Sequence, residues 1–292
     1  MAIREMVAKT LLSHVKQPDD WFGLRYNMNL YRGCQHQCIY CDSRSACYQI
    51  ENFNDVLVKI NALDLLRDEI ARKRNKGTIG FGSMSDTYGP VERKYRLTRG
   101  ALEVLAEFGF PAHIITKSAL PVRDCDALSA INARTFALVS FSITTADDDL
   151  ARILEPGAAS PSERFAAMEQ LAAAGIHTGV VMMPVLPFIE DNAANITQIV
   201  ARAAAHGAEF VLPAFGITMR DRQRIYFYHK LDVHFPGMRE RYESAFGERY
   251  SCAARNADHL AALCNDLCAR YDLATHVPRW SPPPPPEQLR LF

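Results

Sequence analysis

The chain has 292 residues, of which 48% are hydrophobic and 23% are charged, a composition typical of a globular protein with one large domain and an extension. The 33 basic residues balance the 33 acidic ones, so any nucleic-acid surface is expected to be a local patch. No apolar run approaches the roughly 18 residues that cross a bilayer, and the charged N-terminal residues do not resemble a signal peptide. The sequence therefore predicts a cytoplasmic protein without a membrane segment, in which the eight cysteines are reduced.

Short β-like runs alternate with longer helical runs after residue 26. The predicted strands cover residues 27–32, 78–82, 112–116, 136–143, 177–182 and 210–215. The predicted helices cover residues 56–73, 98–108, 123–131, 161–174 and 192–205. Strands joined by helical crossovers of this length form a parallel sheet. Six of them predict the α/β class, as an open, partial (β/α)6 barrel of the TIM type, with its chemistry at the C-terminal ends of the strands.

The pattern divides the chain into four parts. We expect an N-terminal segment (1–26), the partial barrel (27–217), a C-terminal helical extension (218–277) with a helix near 257–270, and a proline-rich tail (278–292). No internal repeat is present.

Cys34, Cys38 and Cys41 follow the first predicted strand with C-x3-C-x2-C spacing. Three thiolates on a short loop can hold three irons of a 4Fe–4S cluster and leave the fourth iron open, whereas four cysteines would saturate it. The open iron can chelate the amino and carboxylate groups of methionine, which places the sulfonium of S-adenosylmethionine (SAM) beside a one-electron donor. Reductive cleavage then yields a 5′-deoxyadenosyl radical.

The alternative for this loop is a zinc site that uses the three cysteines with His36 or a distant ligand. Structural zinc sites usually have two ligand pairs separated by a longer loop, and His36 lies too close between Cys34 and Cys38 to complete a tetrahedron easily. The pattern therefore favours the iron–sulfur cluster.

The cysteine spacing, the aromatic Tyr40 before the third cysteine and the partial barrel resemble the radical SAM superfamily. Within that superfamily the sequence is similar to the spore photoproduct lyase-like branch, often labelled DNA repair photolyases, from about residue 9 to residue 276. The similar segments are NLYRGCQHQCIYCDSRS, GSMSDTYGPVE, LTRGALEVL, ITKS, FSITT and MMPVLPFIED.

The resemblance implies a radical SAM enzyme with a 4Fe–4S cluster and SAM as cofactors and an electron donor such as flavodoxin or ferredoxin. It also implies that Ser85 and Asp86 contact the methionyl amine or the ribose of SAM, that Lys117 pairs with the methionyl carboxylate, and that Ser142 hydrogen-bonds nearby. The full set of cofactor-binding residues so implied is Tyr40, Ser85, Asp86, Lys117, Ser142, Val180 and Met182. The last two would flank adenine, although core packing explains them equally well.

One difference from that branch bears on the substrate. Spore photoproduct lyases carry a cysteine just before the Ser-Asp pair, which returns a hydrogen atom to the product, and here residues 81–86 read FGSMSD. The resemblance favours DNA as the substrate, for lesion repair or modification, but membership of the branch does not define it. The alternatives are an RNA, peptide or small-molecule substrate, or a non-catalytic metal-binding protein.

Cys264 and Cys268 are four residues apart on a predicted helix and share one face. Together with Cys252 they predict an auxiliary cluster site. The alternative is that they are small buried hydrophobic residues, which is also the interpretation of Cys47 and Cys125.

The segment after the sixth strand interleaves cations and aromatics, among them Arg222, Arg224, Tyr226 and Tyr228. Cations for phosphates beside rings for base stacking are typical of a nucleic-acid groove. The alternative is a helix that packs by one face.

The tail contains five consecutive prolines, which form a stiff spacer. Its last residues resemble the Q-L-x-L-F peptide by which bacterial DNA polymerases and repair proteins bind the sliding clamp, carried here by Gln288, Leu289, Leu291 and Phe292. Leu291 and Phe292 would fill an apolar pocket while the Gln288 amide hydrogen-bonds at its rim. A bacterial sliding clamp is therefore a predicted partner, unless the tail folds back on its own domain or is disordered.

Overall fold

The computed structural model describes residues 2–16 and 21–282. The predicted clamp-binding residues, Gln288, Leu289, Leu291 and Phe292, lie outside the described residues.

The chain alternates strands and helices as the sequence predicts. The strands are β1 (Ile3–Met6), β2 (Leu12–His14), β3 (Tyr26–Met28), β4 (Tyr31–Arg32), β5 (Val56–Lys59), β6 (Ile79–Phe81), β7 (Ala112–Thr116), β8 (Ala137–Ser142), β9 (His177–Val185), β10 (Val211–Thr218) and β11 (Ser251–Ala253). The helices are α1 (Ala62–Ala71), α2 (Glu92–Tyr95), α3 (Leu97–Phe108), α4 (Cys125–Asn132), α5 (Asp148–Leu154), α6 (Pro161–Ala173), α7 (Ala193–Ala205), α8 (Asp221–His234), α9 (Met238–Phe246) and α10 (Ala257–Arg270).

The main sheet has the order β2-β3-β6-β7-β8-β9-β10-β11. The six strands from β3 to β10 pair in parallel, and β2 and β11 add antiparallel edges. Helical crossovers connect the parallel strands, so their C-terminal ends meet at one rim. This arrangement confirms the predicted partial (β/α)6 barrel.

Two predicted boundaries are wrong. The strand predicted at 27–32 is divided between β3 in the barrel and β4 in a second sheet of order β1-β5-β4. The helix predicted at 56–73 begins only at residue 62, because residues 56–59 form β5, where buried and half-buried positions alternate. A period of two is the pattern of a strand with one covered face.

The small sheet supports the start of the cysteine loop. Gly33 has a φ of +86°, and a Cβ there would lie 2.0 Å from the carbonyl oxygen of Asp55. The Cys34 N–H donates to the carbonyl of Phe53 at 3.3 Å. Glycine at residue 33 is therefore needed for the chain to turn from β4 into the loop.

The C-terminal extension packs on the other side of that loop. Ile39 and Tyr40 share a buried apolar cluster with Phe227, Leu231 and Tyr242 from α8 and α9. The extension thus positions the cysteine loop against the barrel. Within the described residues, no helix combines the length and apolar character needed to cross a membrane.

Candidate active site

A cavity of about 510 Å³ lies inside the rim formed by the C-terminal ends of the parallel strands. The predicted site residues that line it are Cys34, Cys38, Tyr40, Cys41, Ser85, Asp86, Lys117 and Ser142. The barrel brings them together from the ends of three strands, β6, β7 and β8, and from the cysteine loop, although they span more than 100 positions of the sequence.

The three cysteines of the loop face a site that disfavours free thiolates. Burial raises the pKa of the Cys34 thiol to about 12, and nearby negative charges, among them Asp86 and the Cys41 thiolate, add to that effect. Burial also raises the pKa values of Cys38 and Cys41. In the described chain no three His, Cys, Asp or Glu side chains converge on one metal ion. In a 4Fe–4S cluster each thiolate binds a different iron, so the three sulfur atoms lie farther apart than the ligands of a single metal ion. The positive charge of each iron stabilises the thiolate bound to it.

His36 hydrogen-bonds through one ring nitrogen and lies in contact with a carboxylate through the other. Its Nδ1 lies 2.9 Å from the carbonyl oxygen of Gly157, and its Nε2 lies 3.1 Å from Asp86 Oδ2. A Cβ on residue 157 would come within 2.1 Å of the Gln35 carbonyl oxygen, so the cysteine loop can approach only because this residue is glycine. His36 therefore positions the loop, and its contacts do not support the zinc alternative.

Asp86 connects the ends of β6 and β7 to the cysteine loop. Its carboxylate accepts hydrogen bonds from the Thr116 hydroxyl (2.7 Å), the Lys117 N–H (2.7 Å) and the Tyr88 N–H (2.9 Å). Burial alone would raise the pKa of Asp86, but His36 and these donors hold it well below its usual range. Asp86 is therefore ionised and largely occupied by protein groups.

Lys117 brings a cation into the cavity beside a buried carboxylate. Its Nζ lies 4.0 Å from Glu155 Oε1 and 5.8 Å from the centre of the Tyr40 ring. Burial alone would lower the pKa of Lys117, but the charges of Cys38 and Glu155 outweigh burial and raise it. The ammonium group is therefore charged at neutral pH.

Glu155 and Arg164 form a buried ion pair behind Lys117. The Tyr40 hydroxyl and the Arg164 guanidinium donate to the two oxygens of Glu155. Arg164 also donates to the carbonyl oxygens of Ser142 (2.7 Å) and Ala159 (2.8 Å). Burial alone would raise the pKa of Glu155, but Arg164 and Lys117 lower it. The pair thus connects the cysteine loop, β8 and the start of α6.

Among the described residues that line the cavity, Ser85 Oγ and Asn27 Oδ1 are buried and have neither a hydrogen bond nor an ion-pair contact with the protein. His36 Nε2 also makes no hydrogen bond, but it lies 3.1 Å from Asp86 Oδ2. A buried polar atom without a hydrogen bond costs about 1–3 kcal/mol, so Ser85 and Asn27 are suited to bind a polar ligand. With the Lys117 cation and the three thiols, this set of groups fits an iron–sulfur cluster and a zwitterionic, ribose-bearing cofactor.

Val180 and Met182, which were predicted to flank adenine, do not line the cavity. Both are fully buried in the core between the sheet and the helices. Their neighbours Val181 and Met183 line the cavity instead, because successive side chains of a strand point to opposite faces.

The structure places the three cysteines of the predicted auxiliary cluster site in two different buried clusters. Cys264 and Cys268 are free thiols that hydrogen-bond to each other in the main core. Cys252 lies instead in the apolar cluster beside the cysteine loop and donates to the Arg249 carbonyl at 3.6 Å. These cysteines are buried small side chains.

The predicted nucleic-acid residues do not form one surface. Arg224 donates to the Glu248 carboxylate and to four backbone carbonyls, those of Met219, Gly247, Glu248 and Arg249. Tyr228 is 7% exposed and packs near Phe227 and Tyr242. Arg222 is exposed and Tyr226 is half-buried, but neither lines the cavity. Arg224 and Tyr228 therefore stabilise the fold.

The comparison with family models agrees with the geometry of the site. The model of the radical SAM superfamily matches residues 28–198, which include the three cysteines and most of the barrel. This chain belongs to the radical SAM superfamily. Members use a 4Fe–4S cluster and SAM, and these are the protein's cofactors.

Two relatives differ in how much of the radical SAM chain they match. An uncharacterised protein of Mycobacterium tuberculosis (strain ATCC 25618 / H37Rv) is 30% identical over 282 residues, which cover 94% of this chain and 82% of the relative. The radical SAM Nα-GlyT isomerase of Pseudomonas phage M6 is 24% identical over 62% of this chain and 37% of its own length.

Among solved structures, a spore photoproduct lyase mutant with bound AdoMet and dinucleoside spore photoproduct superposes with a TM-score of 0.70. The match covers 92% of this radical SAM chain and 79% of the lyase at 17% identity. The two proteins therefore share a fold.

Several residues in or around this radical SAM site were not predicted from the sequence, chiefly His36 as a positioning residue, Glu155, Arg164 and Glu190. One signal was present for Arg164. It lies on the apolar stripe of α6, with Pro161, Phe165 and Met168, where a charged side chain needs a buried partner.

Glu190 is a further buried carboxyl group, at the end of the loop that follows β9. It accepts a hydrogen bond from the Leu186 N–H at 2.9 Å, and burial raises its pKa to about 8. An unfolded glutamate has a pKa of about 4.3. The native state therefore retains a proton that the unfolded chain releases, and its stability falls as the pH rises from about 4 to about 8.

Replacing Glu190 by glutamine is expected to remove this loss of stability at higher pH, because the amide does not ionise. At pH 8 the Glu190→Gln variant should exceed the wild type in unfolding free energy by a few kcal/mol, on the order of what such a pKa difference implies. The difference should narrow to about 1 kcal/mol at pH 5. Urea unfolding at both pH values measures it. Glu169→Gln, on the exposed side of α6, is the control, and equal pH dependence in Glu190→Gln and the wild type would contradict the assignment.

Proposed function

We propose that this radical SAM enzyme acts on DNA, as a lesion-repair or base-modifying enzyme. The supporting observation is the extent of the match to spore photoproduct lyase. It covers 92% of the chain, so it includes most of the segment after residue 198, where the family model ends. The lyase has been solved in complex with dinucleoside spore photoproduct.

The cavity residues suit radical chemistry when the cofactors are bound. The cluster and SAM together supply a 5′-deoxyadenosyl radical that abstracts a hydrogen atom from the substrate. Cys34, Cys38 and Cys41 would hold the cluster, and Lys117 would bind the methionyl carboxylate. Ser85 would hydrogen-bond the cofactor through the Oγ that has no protein partner.

The remaining residues orient this machinery and exclude water. Asp86 would act mainly by holding the Lys117 backbone and His36. Apolar side chains form much of the wall, contributed by Phe81, Ile115, Val181, Met183 and Ile217. A dry wall protects a reactive intermediate from side reactions.

The position of the cavity restricts how DNA would bind. A base in a stacked duplex cannot reach the inside of the barrel, so the reacting nucleotide would be single-stranded or flipped out of the helix. The cavity of about 510 Å³ would be shared with the cluster and SAM, whose predicted ligands line it. We therefore propose that the reacting nucleotide enters at the open rim of the barrel while the rest of the strand lies outside.

Isotope transfer tests the substrate class before the reacting atom is known. The reconstituted enzyme is incubated with SAM, a reductant and uniformly deuterated DNA, either ultraviolet-irradiated or untreated, and 5′-deoxyadenosine is analysed by mass spectrometry. Deuterium transferred from DNA is expected. Deuterium transferred only from a parallel sample of deuterated RNA, or from neither, would contradict the proposal.

The C-terminal peptide motif supports action at DNA independently of the fold. We propose that Gln288, Leu291 and Phe292 bind a bacterial sliding clamp. A labelled peptide of residues 281–292 is expected to bind a purified clamp with micromolar affinity, and Gln288→Ala or Phe292→Ala should each weaken it by at least about tenfold, the loss typical of an anchor residue. Fluorescence anisotropy measures this, and equal binding of all three peptides would rule out clamp recognition by these residues.

A further inference from the structure

A groove of about 480 Å³ lies on the outer side of the cysteine loop, between α5 and α8. Its lining residues are Ile39, Asp149, Arg152, Ile153, Pro156, Lys230 and His234. None of them lines the inner cavity. The groove and the cavity are therefore separate, with the cysteine loop between them.

The loop is only one residue thick at this point. Cys38 and Tyr40 line the inner cavity, whereas Ile39 between them lines the groove. The Ile39 N–H donates to the Leu154 carbonyl at 2.9 Å, which fixes the loop to the end of α5. A protein that covers the groove would approach the cluster site as closely as the loop allows. Electron transfer between proteins slows exponentially with distance, so this is the favourable side for reduction.

The groove has an apolar centre and a basic rim. Ile39 forms the floor, and Ile153 is 37% exposed. At the rim Arg152 is paired with Asp149, so the lining has one net positive charge, which Lys230 supplies. An apolar centre with a charged rim is the usual composition of a protein–protein interface.

The basic rim continues along α8. Arg222, Tyr226, Lys230 and His234 follow at intervals of four residues and so share one side of the helix. The Tyr226 ring centre lies 3.7 Å from the guanidinium carbon of Arg44, three residues after Cys41. The cation-rich segment that the sequence suggested for nucleic acid therefore borders the outside of the cysteine loop.

We propose that this groove docks an electron-donor protein whose redox centre is surrounded by acidic residues. One electron passes from the reduced donor, which is oxidised by one electron, to the cluster, which goes from the 2+ to the 1+ state, and no covalent bond forms or breaks. The inference rests on the family's cofactors and does not depend on DNA as the substrate.

Charge reversal in the groove tests this surface. Reduced bacterial flavodoxin serves as the donor, and cluster bleaching in the reconstituted enzyme is followed by stopped flow. The double variant Arg152→Glu/Lys230→Glu is expected to lower the second-order rate constant by at least about tenfold at low salt, because complementary charges accelerate association. Flavodoxin binding, measured by calorimetry, should weaken in parallel. Reduction by dithionite, which needs no docking, should be unchanged. The charge-matched control is Arg72→Glu/Arg270→Glu, at two exposed positions at the ends of α1 and α10.

Salt provides a second test on the wild-type enzyme, independent of any substitution. The flavodoxin rate should fall as ionic strength rises, and the difference between wild type and double variant should shrink. A flavodoxin rate that does not change with salt, or an unchanged rate in the double variant, would overturn the proposal. If the double variant loses affinity for an oligonucleotide but is still reduced by flavodoxin at the wild-type rate, the proposal is also overturned. The basic side of α8 would then be assigned to nucleic acid.

Discussion

Replacing Cys38 by alanine is expected to abolish 5′-deoxyadenosine formation. Cys38 is buried and lines the cavity together with Cys34 and Cys41, and two thiolates cannot hold the cluster with a single open iron. Iron content, the electron paramagnetic resonance spectrum of the reduced protein and chromatography of the products measure the loss. The reduced spectrum of the wild type should shift when SAM is added, and that of the variant should lack the signal.

The control is Cys47→Ala, because Cys47 is exposed and does not line the cavity. It should retain iron and full product formation. Circular dichroism of the two apoproteins should agree, since a loss of fold would also remove activity. SAM cleavage by the Cys38→Ala variant at the wild-type rate would show that the cluster is bound elsewhere.

Removing one member of the Glu155–Arg164 pair is expected to lower the unfolding free energy by about 3–5 kcal/mol, the usual cost of leaving a buried charge without its partner. Arg164 is almost completely buried and also holds the carbonyls of Ser142 and Ala159. Glu155→Gln leaves the guanidinium without an anion, and Arg164→Met leaves the carboxylate beside Tyr40 and Lys117. Urea unfolding of the reduced apoprotein at pH 7 measures both changes.

A double variant and an exposed pair complete this test. Glu155→Gln/Arg164→Met should be less destabilised than the two single losses added together, because neither charge remains buried alone. Arg67→Ala breaks an exposed pair with Glu107 and should cost less than about 1 kcal/mol. If Glu155→Gln costs no more than Arg67→Ala, the pair does not stabilise the cysteine loop.

The class of fold and the cofactor-binding loop were both predictable from the sequence. Both depend on local patterns. Six β-like runs separated by helical crossovers require a parallel sheet, and three cysteines at C-x3-C-x2-C spacing lie close together in any conformation of so short a loop. Ser85, Asp86, Lys117 and Ser142 were also predictable as neighbours, because the ends of parallel strands meet at one rim.

The tertiary structure alone decided which side chains face the cavity and which pair with each other. β9 is buried on both faces, so its apolar residues show no alternation to distinguish Val181, which faces the cavity, from Val180 and Met182, which face the helices. Glu155 reaches Tyr40 across 115 positions, and no local pattern encodes such a contact. Arg224 and Lys230 lie on the same helix, yet packing buries the first among backbone carbonyls and leaves the second at the groove. Long-range packing determines these roles, and the pattern along a single segment of the sequence does not encode that packing.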